Sequence, residues 1–153
     1  MNIPIAPYAP GLFTMNQQGT GQAAAIVATT GAIAAPAGAC SGSRPIQRGE
    51  YLALYGTGLG PVNISSDLFD GEITPPPSQY CTQVCTLRNT TALPLVTVGG
   101  VPATVQFSGL APYMIGTYQI NILIPAGAPT GNVVPISLNI GGVASNTVTV
   151  AIQ

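Results

Sequence analysis

From Leu95 onward, apolar and polar residues alternate with a period of two. A β-strand imposes that period, because its successive side chains point to opposite faces. Leu95–Val98 meets Gly99-Gly100 and continues as Val101–Phe107, where Ala103, Val105 and Phe107 alternate with Thr104 and Gln106. This predicts a hairpin with a glycine turn. Thr117–Ile124 sets Tyr118, Ile120, Ile122 and Ile124 on one face and Gln119 and Asn121 on the other. Val133–Ile140 directs Val134, Ile136, Leu138 and Ile140 inward, with Ser137 and Asn139 outward. Pro135 in that run cannot donate to a ladder, so it marks an edge or a bulge. Gly141-Gly142 turns the chain, and Thr147–Ile152 adds Val148, Val150 and Ile152 to the inner face.

The first half is less regular. Its organising stretch is Gly49–Val62, in which Tyr51–Tyr55 is apolar on both alternating faces. That predicts a strand covered on both sides, near the middle of the fold. Gly56, Gly58 and Gly60 end it. Ile3–Phe13 interleaves Pro4, Pro7 and Pro10 with apolar residues, which predicts an edge strand or an extended lead-in. Asn16–Gly21 is a polar turn, and Gln22–Thr29 reads as a strand because it is short, lies between glycines and ends β-branched. Residues 31–48 and 61–93 read as two long loops, and loops of that length in a compact domain are functional or pinned. The whole predicts one all-β domain over residues 1–153, a sandwich of about seven to nine strands. Residues 1–48 form the lead-in and 49–153 the main body. The predicted core is Leu52, Leu54, Val98, Val105, Phe107, Ile120, Ile122, Ile136, Leu138, Val148 and Val150.

Composition narrows the setting. Only 5% of the residues are charged, against 46% hydrophobic, and there are 19 Gly and 15 Pro. The bases are Arg44, Arg48 and Arg88, and the acids Glu50, Asp67, Asp70 and Glu72, for a net charge of −1 with no Lys, His or Trp. Three scattered arginines make no electrostatic footprint for nucleic acid or an anionic membrane. A cytosolic protein ordinarily keeps a charged surface for solubility. This one must rely on Ser, Thr, Asn, Gln, Gly and Pro, as secreted modules and assembled filaments do. No run of about 18 apolar residues exists, so no membrane insertion by a helix is expected. The residues after Met1 show no basic stretch followed by an apolar one. An exported chain of this kind is expected to be a mature form or a fragment of a longer protein.

Several stretches, taken in order, resemble the uncharacterised Solibacter-type C-terminal domain of long secreted bacterial proteins. They are Ala9-Pro10-Gly11-Leu12-Phe13-Thr14, Gly19-Thr20-Gly21-Gln22-Ala23-Ala24, Arg48-Gly49-Glu50 and Leu54-Tyr55-Gly56-Thr57-Gly58-Leu59-Gly60, followed by Val96-Thr97-Val98-Gly99-Gly100-Val101-Pro102-Ala103, Gly109-Leu110-Ala111-Pro112 and Tyr118-Gln119-Ile120-Asn121. From Gly49 the chain also looks like TIG/IPT domains, which share a strand ending in Gly-Thr-Gly and a later Val-Gly-Gly hairpin. The resemblance implies an immunoglobulin-like sandwich in a secreted, modular setting, and it implies no activity.

Candidate chemistry is sparse. Gly56-Thr57-Gly58-Leu59-Gly60 follows a strand, but a dinucleotide loop needs a helix N-terminus to hold the pyrophosphate, and Pro61 opens none. A turn is the better reading. Asp67, Asp70 and Glu72 are close enough to offer oxygen ligands to calcium, yet lack the EF-hand spacing, so they read as a solvated acidic loop. A metal site in Cys40, Cys81 and Cys85 would want four ligands, and a cysteine nucleophile would want a His base. Cys81 and Cys85 lie close within one loop, and in an exported protein they are the candidate disulfide, although three pairings are open. Glu50 is expected to pair with Arg48. Asn63-Ile64-Ser65 and Asn89-Thr90-Thr91 match the glycosylation sequon, as chance often provides in such a chain.

No catalytic residue, cofactor or metal ligand is therefore expected, and an enzyme is disfavoured. The expected function is a non-catalytic structural or interaction module, extracellular or at the cell surface, whose partners are other protein domains or copies of itself. One alternative is a filament subunit in which residues 2–9 add as a strand to a neighbour. The other is a carbohydrate-binding module, with glycans as partners and Tyr8, Tyr80 and Tyr113 in loops.

Overall fold

The computed structural model describes residues 5–63, 73–74 and 87–153. Among them there is no helix, and the all-β class is as the alternation requires. Eleven strands run in chain order: β1 (Gly11–Leu12), β2 (Ala25–Val27), β3 (Ile33–Ala34), β4 (Ser43–Arg44), β5 (Tyr51–Thr57), β6 (Leu95–Val98), β7 (Val101–Leu110), β8 (Tyr118–Leu123), β9 (Gly131–Ile140), β10 (Val143–Ala144) and β11 (Val148–Ile152). β1, β3, β4 and β10 are two residues long. The other seven carry the body of the fold.

All eleven join one hydrogen-bonded sheet in the order β10-β9-β6-β7-β8-β5-β2-β3-β4, with β1 beside β5 and β11 beside β9. Continuity rests on β7, whose Val101–Ala103 pairs with β6 while Thr104–Leu110 pairs with β8. The sheet curls along this strand. β11 completes the curl from the other end. One of its edges pairs with β9, and the other bridges in parallel to Gln22 and Ile46, which flank β2–β4. The Ala23 amide donates to the Thr149 carbonyl (2.8 Å), Thr149 to Gly21 (2.7 Å), Ile46 to Ala151 (2.9 Å) and Gln153 to Ile46 (2.9 Å). Backbone groups that an open edge would expose are thereby paired. Residues 31–48, expected as a loop, thus supply two short strands and the buried side chains of Ala34, Ala35 and Ile46. Their Ala-, Pro- and Gly-rich composition has no period of two, because two-residue strands are too short to show one.

The double glycines make the predicted hairpins. Gly99 and Gly100 have φ of 58° and 82°, and Gly141 and Gly142 have 59° and 84°. Positive φ at both central residues is the turn that matches the twist of paired strands. Pro135 is not at an edge strand, and the register shift of β9 against β11 lies just ahead of it, between Gly131 and Val134. Its partner Thr149 turns its own N–H and C=O away from β9, and the Pro135 carbonyl accepts from the Gly99 amide (2.7 Å) beyond the end of β6. The missing N–H therefore falls where the neighbouring strand has already turned.

Nine of the predicted core residues are buried: Leu52, Leu54, Val98, Ile120, Ile122, Ile136, Leu138, Val148 and Val150. Val105 is half-buried against them. Phe107 departs from the prediction. Val105 lies opposite Ile122, but Phe107 lies opposite Asn121, because a register shift between Val105 and Phe107 inserts one extra residue. Such a bulge changes the face on which the following side chain emerges. Phe107, also half-buried, is turned to the outer face, and Ser108, opposite Ile120, is fully buried in its stead.

Candidate interaction surface

Cys81, Cys85, Asp67, Asp70, Glu72 and Tyr80 lie outside the described residues. Cys40 is half-buried with a free thiol. Glu50 pairs with Arg44 and not with Arg48. The Arg44 guanidinium grips the carboxylate in fork geometry, at 2.8 Å and 2.6 Å, and the Gln47 amide donates to it at 2.7 Å. The cause is the turn at Gln47–Glu50, closed by the Glu50 amide on the Gln47 carbonyl, with Gly49 at φ 84°. Arg48 stands at its corner and instead reaches the Ala128 carbonyl (2.7 Å) through Nε. Bidentate bonding to Arg44, aided by the Gln47 amide, holds the Glu50 carboxyl below its usual range.

The Gly56–Gly60 stretch receives the N-terminal segment. β1 pairs with Thr57 and Gly56, and the Ala9 amide donates to the Gly58 carbonyl (2.9 Å). A Cβ at Gly58 would overlap the Ala9 carbonyl, one at Gly56 the Gly11 carbonyl, and one at Gly60 or Gly141 the Tyr8 ring. These glycines form a slot for Tyr8–Leu12. The Tyr118 hydroxyl donates to the Gly60 carbonyl (2.5 Å), and burial pushes its phenol above the ordinary value. Ahead of the slot, Ile5 is 94% exposed.

The outer face of β5, β8 and β7 carries Tyr51, Tyr55, Gln119, Asn121 and Phe107, as the registers require. Where β7 meets β8 this face sinks into an open groove of about 390 Å³, lined by Leu87, Asn89, Gln106, Phe107, Pro112, Gln119 and Asn121. Gln119 Nε2 donates to Asn121 Oδ1 (2.8 Å), and Gln106 Nε2 donates to the Tyr51 hydroxyl (2.9 Å). Residues 87–90 run along the other edge of β7: the Leu110 amide donates to the Arg88 carbonyl and the Thr90 amide to the Ser108 carbonyl.

Beyond Pro112 the chain makes an exposed tip. Tyr113 is 71% exposed, and Met114 and Ile115 are exposed after it. Ile73 is exposed beside them, because the Tyr113 amide donates to the Thr74 carbonyl (2.8 Å) and the Thr74 amide to the Met114 carbonyl (3.4 Å). Tyr113 has φ 63°, which is strained for a residue with a Cβ. The signal in the sequence was an apolar run, Tyr113-Met114-Ile115, set between Pro112 and Gly116 rather than in a strand. Of the tyrosines expected in loops, Tyr113 is at this tip and Tyr8 is in the slot.

Among the described residues, no group of three or more His, Cys, Asp or Glu could hold a metal ion. No helix among them is long and apolar enough to cross a membrane. No protein-family model, curated protein or solved structure matches the chain.

Proposed function

We propose that the chain is a non-catalytic extracellular module that works through protein contacts, with other domains or copies of itself as partners. The observation that carries this reading is the apolar tip Tyr113-Met114-Ile115 with Ile73 beside it, all exposed. Contiguous exposed apolar side chains mark contact surfaces, and consecutive ones are otherwise a cost in solubility. The low charge of the whole chain supports the extracellular setting. Sedimentation velocity over a concentration series tests contact between copies. The wild type should gain larger species with concentration, and Tyr113→Ser/Met114→Ser/Ile115→Ser should remain a monomer with an unchanged thermal midpoint. A variant that associates like the wild type would contradict a contact at the tip.

A second reading, assembly by strand addition, is favoured by the N-terminal segment, which is anchored from Tyr8 onward and exposed at Ile5. The described residues ahead of the slot, Ile5, Ala6 and Pro7, are all exposed. Deleting residues 2–7 should therefore abolish assembly and leave the fold intact. Filaments that persist after the deletion would exclude strand addition.

A further inference from the structure

We propose that the groove over β7 and β8 is a binding site for a neutral carbohydrate, with a sugar ring stacked on Phe107 and its hydroxyls held by Gln119 and Asn121. The first support is the bulge. Burying an aromatic side chain stabilises a fold, yet the register shift between Val105 and Phe107 leaves this ring half-buried on the outer face, opposite Asn121. Bulges that re-aim a single side chain are found beside functional sites.

The second support is what lies under the ring. A Cβ at Gly109 would stand 2.8 Å from Phe107 Cζ and would also overlap the Arg88 carbonyl. The ring therefore rests against a glycine, and it is positioned before any ligand arrives. Gly109 and Gln119 are opposite one another in the ladder, so the amides adjoin the platform.

The third support is the polar chemistry. The bond from Gln119 Nε2 to Asn121 Oδ1 fixes the two amides as a tandem. Among the described residues, Gln119 Oε1 and Asn121 Nδ2 have no further partner, which leaves the pair with one open acceptor and one open donor. Adjacent sugar hydroxyls, each both donor and acceptor, complement that pair. Among the described residues, no ionisable side chain lines the groove, so these residues offer a charged ligand no counter-charge for its desolvation. A peptide strand would need an open edge. The floor is instead a sheet face, and both edges of β7 beside the groove are paired, to β8 and to residues 88–90. The volume, about 390 Å³, is that of a small-ligand site, about 300–1,000 Å³.

The test is a heteronuclear titration of the whole chain with hexasaccharides of β-glucan, xylan, chitin and α-mannan. At least one should give saturable shifts of the Gln119 and Asn121 side-chain amides, with a Kd of about 1 mM or tighter. Phe107→Ala and Gln119→Ala should each weaken it about tenfold or more. Gln119→Ala should keep the wild-type thermal midpoint, and it carries the test alone if Phe107→Ala does not fold. Tyr113→Ser should bind sugar normally, which separates this site from the contact tip. Absence of saturable shifts with all four sugars, or binding that survives both groove substitutions, would overturn the assignment.

Discussion

The side-chain amide of Asn146 pairs with both backbone groups of Leu12, 134 residues away. Oδ1 accepts from the Leu12 amide at 2.7 Å and Nδ2 donates to the Leu12 carbonyl at 2.9 Å, with a second donation to the Gly19 carbonyl at 2.7 Å. The amide imitates a peptide group of a neighbouring strand. It occupies the edge of β1 that would otherwise be open to another chain. Asn146→Ala leaves these groups without their partner and should cost about 1–3 kcal/mol in urea unfolding. The exposed neighbour Thr147→Ala should stay within about 0.5 kcal/mol. Asn146→Asp should also destabilise, because a carboxylate would then face two carbonyls.

The slot makes a prediction that conformational strain alone does not. Gly58 and Gly100 both have positive φ, at 73° and 82°. A Cβ at Gly100 meets nothing within 4 Å, whereas one at Gly58 overlaps the Ala9 carbonyl. Gly100→Ala should cost about 1–2 kcal/mol from conformation. Gly58→Ala should cost more, and hydrogen exchange should show the Ala9 amide losing protection only in that variant.

The outward setting of Phe107 can be measured by comparison with Leu54. Leu54→Ala opens a cavity in the core and should cost about 2–5 kcal/mol. Phe107→Ala removes a larger side chain but leaves no enclosed cavity, so it should cost less than Leu54→Ala in the same unfolding assay. The reverse order would place the ring inside.

Arg44 and Glu50 predict a small acid dependence. The folded state lowers the Glu50 carboxyl pKa, chiefly through Arg44, so it favours the carboxylate. That contribution is fully present above the usual carboxylate range and is lost as pH falls through the folded value. The pair is partly exposed, with side chains 30% and 23% accessible, which limits it to about 0–1 kcal/mol. Glu50→Gln should lower stability by that amount at neutral pH, and the difference should shrink in acid and in high salt.

Much of the architecture was legible because long strands repeat their signal. Ile120, Ile122, Ile136, Leu138, Val148 and Val150 are buried as the alternation requires. The groove was not legible. Period two assigns Phe107 to the face of Val105, and only a residue count across the ladder reveals the bulge. Gly56, Gly58 and Gly60 were visible as a break, but their reason lies near residues 8–11 in space and far from them along the chain. Arg44 was missed as the partner of Glu50 because a turn, and not sequence distance, decides which arginine reaches it.

Contact through the tip is tested most directly by photo-cross-linking in the producing cell. A photoreactive residue is placed at position 113 and, as a control, at position 133, where Val133 is 74% exposed on β9, away from the tip. The account predicts discrete protein adducts outside the cytoplasm from position 113 and none of those adducts from position 133. Identical adduct patterns from the two positions, or no protein adduct from position 113, would contradict it.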